Sequence, residues 1–318
     1  MSNLSPMHVG AGRDTYDVAS GLPASDALSA ALAAMRAIRG KDEDIGKWLE
    51  SFAVSDAFPY CGEMMFLPKP QGRINVTTVI EEKYRKRLKK VKFIQSGMWS
   101  RVIAGEQISS LDENQLAGDY LLDSPMVGFK APTERQTSER VKVSRAGLDS
   151  DPFAFAWTYF RQESGLYCIV DADDETFREL TALFEDLGVQ GFGSDRSIGG
   201  GHFSISTGII QLSLPTEGNA QLLLSTFIPS EGMLPKTVLE QSRYQVLTRG
   251  GFMAGSSQDN CHHYRRNIVK MIASGSVLAT TEPLFGKVLN LRPPKGDVRH
   301  DVWRSGRPVS VTIKTIEP

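Results

Sequence analysis

The residues whose types and spacing most clearly suggest chemistry form a glycine-rich segment at positions 191–203. Five glycines lie within eleven residues, and a single arginine, Arg196, stands among them. Without Cβ atoms, successive backbone N–H groups can turn toward one concavity and admit a phosphate, and a guanidinium can add a bidentate contact. The segment therefore predicts a site for an anion or an RNA backbone. The residues assigned to it are Gly191, Gly193, Ser194, Arg196, Ser197, Gly199, Gly200, Gly201 and His202.

The order of elements around the glycine-rich segment argues against a nucleotide-binding loop. A Rossmann loop or a P-loop needs a strand before the glycines and a helix after them. Here a predicted helix precedes the glycines, a predicted strand follows, and no Gly-Lys-Ser/Thr ending is present. The simpler explanation of the glycines is a flexible connection between a helix and an edge strand. Because most helix-to-strand loops have only about 2–6 residues, the length of this one favours a specialised loop.

Basic side chains cluster in other places as well. Residues 81–92 contain seven Lys or Arg residues, which predicts either a solvated helix end or a strip that faces phosphates or an acidic partner. Residues 130–151 are polar and typical of an exposed two-stranded projection. Tyr264 stands beside Arg265 and Arg266, where an aromatic ring could stack a base or simply pack at an edge of the fold.

Histidine offers the main route to catalysis. The five histidines are His8, His202, His262, His263 and His300. A histidine acts as acid or base only with a positioned partner, and the sequence shows none. A Ser/His/Asp triad stays open, although no Gly-x-Ser-x-Gly elbow is present. We expect no catalytic residue and no cofactor.

The sequence also holds no convincing metal site. Cys261-His262-His263 is unsuitable because adjacent strand residues point to opposite faces. Residues 171–175 lack the glycine and the distal glutamate of a calcium loop, and carboxylates that cap a helix explain them better. We therefore expect no bound metal.

Chain length and charge restrict the classes of protein to which this sequence can belong. The chain has 318 residues and a formal net charge of −1, and its length predicts about two domains. Residues up to Thr207 hold 23 basic and 29 acidic residues, whereas the rest holds 13 and 8. These values exclude a collagen-like, largely disordered or uniformly basic protein. Because charge can be segregated within a neutral total, nucleic-acid binding stays open.

Cysteine usage and hydropathy predict a location. Three scattered cysteines without a CxxC pair favour a reducing cytoplasm. The apolar stretch from Ala27 to Met35 is too short for a membrane span, which needs roughly 20 residues, and no signal segment precedes it. We expect a cytoplasmic protein with no membrane partner.

The elements that must position the glycine-rich segment form a clear supersecondary unit. Residues 153–160 and 165–170 predict strands. Asp173 begins a helix whose apolar residues recur at three- and four-residue steps, which predicts one buried face. Gly188 is predicted as the glycine just after this helix, and residues 203–207 as the strand that follows the glycines.

An earlier strand and helix supply the other half of the unit. A strand is predicted over residues 4–9, and a helix follows Pro23, with Ser25 or Asp26 as its N-cap and Gly40 as its stop. This order predicts an α+β protein of ferredoxin-like type. We predict two such domains. They span residues 1–207, with a large insertion over about 57–150, and residues 208–318, a smaller C-terminal domain.

Several motifs resemble one family. The run Gly193-Ser-Asp-Arg-Ser-x-Gly-Gly-Gly-x-Phe203 resembles the glycine-rich signature of RAMP proteins, the ferredoxin-fold RNA binders of CRISPR systems. Four further blocks are similar to the fourth subunit of type III-A (Csm) effector complexes. They are residues 6–10 with 24–31, 56–60 with 66–70, 140–160, and the turn Arg304-Ser-Gly306. The chain departs from the pattern in its shorter first strand and in Ser194, where glycine is common.

The resemblance implies a function. Such a subunit is a non-catalytic RNA-binding protein of antiviral defence that binds the 5′ tag of the CRISPR RNA (crRNA). It lies between the large polymerase-like subunit and the first RAMP backbone subunit. A thumb-like β-hairpin kinks the guide, which would bring residues 130–150 close to RNA. The remaining RNA contacts that the resemblance and the basic pattern predict are Arg140, Lys142, Arg145, Ser25, Lys69, Arg265 and Arg266.

Two alternative functions stay open. Some RAMP relatives are metal-independent endoribonucleases that process CRISPR RNA with a histidine. A protein-only scaffold would instead use the acidic first part and the basic second part as docking faces. RNA binding through several phosphates weakens steeply as salt rises, whereas a nuclease leaves products of defined size and a scaffold binds no RNA.

Overall fold

The computed structural model describes residues 1–10, 21–143, 150–253, 264–294 and 298–315, and it mixes helices with short strands. The helices are α1 Ser25–Ile38, α2 Ile45–Leu49, α3 Thr78–Lys90, α4 Ser96–Ile103, α5 Asp174–Gln190 and α6 Lys236–Gln241. The strands are β1 Ala53–Val54, β2 Phe58–Cys61, β3 Met64–Pro68, β4 Phe93–Gln95, β5 Leu116–Ala117, β6 Tyr120–Leu121, β7 Thr133–Val143, β8 Ser150–Phe160, β9 Ser164–Tyr167, β10 Val170–Asp171, β11 Ala220–Leu223, β12 Val246–Arg249, β13 Val269–Ile272, β14 Val277–Leu278, β15 Val288–Asn290, β16 Trp303–Ser305 and β17 Ser310–Ile313. The mixed α and β class agrees with the sequence prediction.

The largest sheet has six strands in the order β5-β6-β4-β3-β2-β9. All its pairs are antiparallel except β4 with β6. A second sheet, β14-β11-β17, comes from the C-terminal part, and the other strands form pairs. The longest pair is β7 with β8, which lie antiparallel from Thr133 opposite Phe160 to Val143 opposite Ser150. Strand β7 falls within the two-stranded projection predicted over residues 130–151, whereas its partner β8 covers the separate strand predicted over residues 153–160.

The strands predicted at residues 4–9 and 203–207 are wrong as continuous strands. The first segment forms isolated bridges, Ser2 with Ser204 and Met7 with Thr158. Its backbone forms hydrogen bonds with two different neighbours. Met7 is hydrogen-bonded to Thr158 of β8, whereas Ser5 and His8 are hydrogen-bonded to the glycine-rich segment. A segment shared in this way cannot form a regular ladder with either neighbour.

Helix α5 begins as predicted but ends later. The Asp173 carboxylate accepts a hydrogen bond from the Thr176 amide at 2.7 Å, as expected of an N-cap. Gly188 lies inside the helix rather than after it, and Gly191, with φ +81°, follows the last turn. A Cβ at position 188 would overlap the Phe203 carbonyl oxygen. Gly188 is therefore small because the returning chain packs against the helix.

The N-cap of helix α1 differs from the one predicted from the sequence. It starts at Ser25 with Ala24 as the N-cap, and neither Ser25 nor Asp26 caps it with a side chain. Gly40, with φ +76°, follows its end as predicted. Leu28, Leu32 and Met35 point inward and pack against α5 in the first core cluster.

A second core cluster joins the two parts of the chain. Leu67, Ile94 and Trp99 of the first part pack in it with Leu222 and Ile313 of the last hundred residues. The six-stranded and three-stranded sheets thus share buried apolar surface across position 207. Within the residues that the structure describes, no helix is both long and apolar enough to cross a bilayer.

The start of α1 is a buried polar junction. The Ser25 amide donates to the Asp56 carboxylate at 2.8 Å, and the Ser25 hydroxyl lies 2.7 Å from that of Thr226. Burial raises the pKa of Asp56 to about 7, against a hydrogen bond from Ser25 that lowers it. Desolvation of a carboxylate favours its protonated form.

Replacement of Asp56 by asparagine should flatten the dependence of stability on pH. The folded pKa of Asp56, about 7, exceeds its reference value of 3.8. Its contribution to stability is therefore complete below about pH 4 and lost as pH rises through 7. The loss amounts to at most about 4 kcal/mol. Asparagine keeps an acceptor for Ser25 but does not titrate.

Urea unfolding at pH 4 to 8 tests this prediction. We expect the wild type to lose more stability than Asp56→Asn over that range, with exposed Asp42→Asn following the wild type. Parallel pH profiles for the wild type and Asp56→Asn would contradict it.

Candidate nucleic-acid interface

The glycine-rich segment folds back on itself and onto the first ten residues. The Phe192 amide donates to the Gly201 carbonyl at 2.8 Å, and the Gly201 amide donates to the Pro6 carbonyl at 2.9 Å. The Ser194 amide donates to the His8 carbonyl at 2.9 Å. The segment is thus a packed loop and not a floppy connection between a helix and a strand.

This packing corrects the predicted cradle of bare amides. The amides that donate to carbonyl or hydroxyl oxygens of the chain itself are those of Gly191, Phe192, Ser194, Ile198, Gly199, Gly200, Gly201, His202 and Phe203. The amides of Gly193, Asp195, Arg196 and Ser197 have no such acceptor among the described residues. At most a short stretch around Arg196 can therefore offer amides to an anion.

Close packing explains most of the glycines. A Cβ at Gly201 would overlap the Phe192 carbonyl, and one at Gly193 would overlap the His8 carbonyl. Both residues also have positive φ, +72° and +96°, which side chains other than glycine rarely adopt. Gly199 differs, because nothing lies within 4 Å of its missing Cβ although its φ is +93°.

The β7–β8 hairpin is fastened to this loop. The Arg140 guanidinium forms an ion pair with Asp195 of the loop and lies 4.2 Å from the centre of the Phe155 ring. Arg140 was predicted to contact RNA, yet its charge is paired inside the protein. Lys142 lies opposite Asp151 in the hairpin register, and Arg145 lies outside the described residues.

A basic cleft opens beside the loop, and we call it the arginine groove. Its volume is about 490 Å³. The side chains that give it its character are Arg196, Arg249, Phe252, Arg266, Arg304 and Asp26. Half-buried alanines of α1, including Ala27 and Ala31, form one wall. The groove therefore lies between the N-terminal helix, the glycine-rich loop and the C-terminal part of the chain.

The charges in the arginine groove do not balance. Asp26, only 2% exposed, accepts from Arg249 at 3.2 Å and from Arg304 at 3.1 Å. Arg266 donates to the Gly250 carbonyl at 2.8 Å rather than to a carboxylate. Arg196 is exposed and forms no ion pair with the described residues. Among the described lining residues, four guanidinium groups thus accompany one carboxylate, which pairs with two of them.

The pKa values of two of these arginines are lowered mainly by burial. Burial, and then the charge of Arg304, lower the pKa of Arg266 to about 10. Burial also lowers the pKa of Arg304, although Asp26 opposes this shift. The Nε atoms of Arg249 and Arg304 are buried without a hydrogen-bond partner in the described chain. A polyanion in the groove would offset these costs.

The remaining predicted contacts fall in different places. Ser25 is buried at the junction with Thr226, and its contact with RNA stays a prediction. Arg265 lies 4.6 Å from the centre of the half-exposed Phe252 ring, at the edge of the groove. Tyr264 packs against Met253 and Val298, which is the edge packing expected if it does not stack a base. Lys69 lies in another cleft.

The histidines give little support to catalysis. His8 is 1% exposed, and its Nδ1 lies 2.7 Å from the Ala156 carbonyl. His202 is half-buried, and its Nε2 lies 3.3 Å from the Arg196 carbonyl. His300 bonds the Asp301 carbonyl at the surface. His262 and His263, with Cys261, lie outside the described residues.

Sequence reasoning missed three groove residues, Arg249, Phe252 and Arg304. Arg249 precedes two glycines, and Arg304 belongs to the Arg304-Ser-Gly306 turn that already carried the family resemblance. An arginine next to glycine was therefore a usable signal. Phe252 had none, because its exposure depends on how the C-terminal part packs.

Comparisons with known proteins agree with the resemblance. A family model of the CRISPR Csm4 C-terminal domain matches residues 216–313. The CRISPR system Cms protein Csm4 of Mycobacterium tuberculosis (strain CDC 1551 / Oshkosh) is 24% identical over 293 residues, 91% of this chain and 89% of that protein. The protein of the same name from Thermococcus onnurineus (strain NA1) is 25% identical over 270 residues, which cover 81% of this chain and 82% of that protein.

Solved structures show the same fold. A chain of the Csm1–Csm4 cassette in complex with cA4 matches with a TM-score of 0.60 and 18% identity, over 99% of this chain and 98% of that one. A chain of the Csm3–Csm4 subcomplex of the type III-A interference complex also reaches 0.60, with 14% identity over 97% and 98%. The sequence is thus similar to Csm4 proteins over most of its length, which agrees with the resemblance to a type III CRISPR subunit. The solved structures show the same fold over nearly the whole chain.

Replacement of Gly201 by alanine should destabilise the protein strongly. The added methyl group would overlap the Phe192 carbonyl at a positive φ, and together these effects cost about 3 kcal/mol. Gly199→Ala is the matched control, since it meets no neighbour within 4 Å and costs only about 1–2 kcal/mol of backbone strain. Chemical denaturation checks the prediction, and equal losses for the two variants would contradict it.

Proposed function

We propose that this chain is a non-catalytic RNA-binding subunit of a type III-A CRISPR effector complex that binds the 5′ tag of the crRNA in the arginine groove. The observation that carries the proposal is the excess of guanidinium groups over carboxylates there, with Asp26 as the one acidic side chain among the lining residues that the structure describes. Arginine is well suited to phosphate because its planar fork donates two parallel hydrogen bonds. A polyanion is thus the ligand that fits the groove.

Single-stranded RNA fits the groove better than a compact anion does. Exposed Arg196 at one wall and Arg266 at the other allow contacts to successive phosphates. Phe252, 48% exposed and backed by Arg265, offers a ring for a splayed base, and such stacking contributes about 1–3 kcal/mol. The alanines of α1 leave room for the sugar-phosphate backbone.

Similar solved structures support a proposal for the position of the chain in the complex. Solved relatives are a Csm1–Csm4 cassette and a Csm3–Csm4 subcomplex. We therefore propose that the chain bridges the large polymerase-like subunit and the RAMP backbone subunit. The family's two ferredoxin-like domains and its thumb are proposed with it, and the β7–β8 hairpin is the candidate thumb.

Binding is favoured over the two alternative functions. An endoribonuclease needs a histidine that reaches RNA and has a positioned partner. His8 is buried, and His202, on the loop, lies against the Arg196 carbonyl rather than a carboxylate. A protein-only scaffold could use the arginines as a docking face for an acidic protein, but it gives no role to the exposed Phe252 ring beside them. The excess positive charge in a partly buried groove is explained by a nucleic acid.

Replacement of Arg196 by glutamine should weaken guide RNA binding. One lost charge-assisted contact to phosphate lowers affinity by about tenfold and reduces the salt dependence, with the logarithmic slope falling by about 0.7. The measurement is binding of the full chain to a fluorescent RNA that carries the tag sequence, titrated at several salt concentrations.

Arg178→Gln is the control, since this exposed arginine of α5 lies outside the groove. It should bind as the wild type does. Equal affinities and slopes for Arg196→Gln and the wild type would overturn the assignment of the groove, and cleaved RNA products would overturn the non-catalytic role.

A further inference from the structure

A groove with an apolar floor lies where strand β17 ends, and we call it the β17 groove. Its volume is about 640 Å³. Its walls come from the segment after β3, the first turn of α3, the end of α4 and the residues that follow β17. Among the described residues, its lining and that of the arginine groove have no member in common. The β17 groove is therefore a separate feature of the surface.

The floor of the β17 groove is the outer side of the second core cluster. Val277 and Ile313, members of that cluster, are only 3% and 1% exposed. Ile74, Val76 and Val102 pack against the cluster and stay half-buried. Because half-buried apolar side chains keep surface in contact with water, a ligand that covers them is stabilised by the hydrophobic effect. The floor thus favours an aliphatic side chain of a ligand.

Positive charge lines the rim of the β17 groove. Arg73 lies 3.8 Å from Glu81, which is the one carboxylate among the described lining residues. Arg243 and Lys314 are exposed and form no ion pair with the described residues. The Arg243 guanidinium reaches only the carbonyl of its neighbour Ser242, at 3.5 Å. The rim is therefore complementary to carboxylates.

The backbone fixes the positions of these two cations. Arg243 exchanges two backbone hydrogen bonds with Val277, each of 2.8 Å. The Lys314 amide donates to the Ile103 carbonyl at 2.8 Å. A Cβ at Gly105, where φ is +73°, would lie 2.9 Å from the Lys314 carbonyl oxygen, so a glycine there allows the close approach. Cations on a fixed backbone lose less conformational freedom when a ligand binds.

One wall of the β17 groove offers unused backbone donors. The amides of residues 72–76 donate to no oxygen of the described chain, whereas the Asn75 carbonyl and side chain are both hydrogen-bonded. An extended peptide along this wall can accept these amides with its own carbonyl groups, as peptides do when they add to an exposed backbone edge. The wall therefore suits a polypeptide.

The composition of the groove favours a peptide over a nucleic acid. No aromatic ring is present among the described lining residues, so a splayed base has no surface on which to stack. A phosphate backbone has no aliphatic group for the floor, and its charge would meet the carboxylate of Glu81. An acidic peptide with aliphatic side chains satisfies the floor, the rim and the wall together.

We infer that the β17 groove binds an extended acidic segment of a partner protein, with an aliphatic side chain on the floor and carboxylates on Arg243 and Lys314. The inference goes beyond the proposed function, because it involves neither RNA nor any residue of the arginine groove. Its support is the combination of two unpaired cations, a half-buried apolar floor and a row of free amides in one concavity.

The probe is a displayed library of random peptides of about 12 residues, which span about 40 Å when extended. The bait is the full-length protein. We expect the enriched peptides to combine Asp or Glu with Leu, Ile or Val. The consensus peptide is then synthesised with a fluorophore and titrated with the protein.

Two double variants that lose the same charge are compared with the wild type. Arg243→Gln with Lys314→Gln removes two exposed cations of the groove, whereas Arg85→Gln with Lys86→Gln removes two exposed cations of α3 outside it. We expect the groove variant to bind the consensus peptide about tenfold more weakly. The α3 variant should stay within about twofold of the wild type. Circular dichroism confirms folding of both variants.

A second peptide tests the floor. Replacement of its aliphatic residues by serine should weaken binding to the wild type about tenfold, because the hydrophobic contact is lost. Equal affinities of the two double variants, equal affinities of the two peptides, or a library without acidic enrichment would overturn the inference.

RNA binding separates this inference from its neighbours. The groove variant should bind the tag RNA as the wild type does. If oligouridine displaces the consensus peptide and the groove variant loses affinity for oligouridine, the groove serves RNA and the inference is wrong. If the peptide results hold while the wild type does not bind the tag RNA, the β17 groove stands and the proposed function fails.

Discussion

The fold and the candidate site both depend on the buried carboxylate of Asp26. It accepts hydrogen bonds from Arg249 and Arg304, and so it ties the first turn of α1 to two strands of the C-terminal part. Removal of one partner from such a buried pair costs several kcal/mol, because a charge is left alone in a poor solvent. The same contact holds the arginines at the floor of the groove. Stability of the junction and the shape of the binding surface are thus set by one interaction.

The glycine-rich loop is a packed part of this structure and not a flexible segment that binds by itself. Its glycines let Phe192, Gly201 and the first ten residues approach closely, and that packing places Arg196 at the rim of the arginine groove. An arginine on a rigid loop loses less conformational freedom on binding than one on a mobile loop. The loop contributes one well-placed cation, and the C-terminal part contributes the others.

The parts of the fold that local rules determine could be predicted from the sequence. The carboxylates at the start of α5, its apolar spacing and the strand that forms most of β8 are all visible as patterns, because capping and periodicity depend on nearby residues. The fold class, the family resemblance and the choice of Arg196 and Arg266 as candidate site residues rest on similar local signals. The end of α5 was predicted too early at Gly188, because the sequence does not distinguish a glycine needed for close packing from one needed for a left-handed turn.

The rest depends on contacts distant in sequence. Ser25 was predicted to contact RNA, yet it meets Thr226 across about two hundred residues. Arg140 was predicted to face RNA, and its partner Asp195 is brought by the loop. Arg249, Phe252 and Arg304 form a groove only when both parts of the chain are packed together. Local patterns carry no information about such pairings, so the groove became visible only in three dimensions.

The pairing of Arg140 with Asp195 has a mechanical consequence. Asp195 immediately precedes Arg196, and the guanidinium of Arg140 is clamped between this carboxylate and the Phe155 ring. The ion pair therefore joins the long hairpin strand β7 to the residue that precedes Arg196 in the lining of the arginine groove. Because a salt bridge and a ring contact share the same guanidinium, loss of Arg140 removes both attachments of β7 at this point.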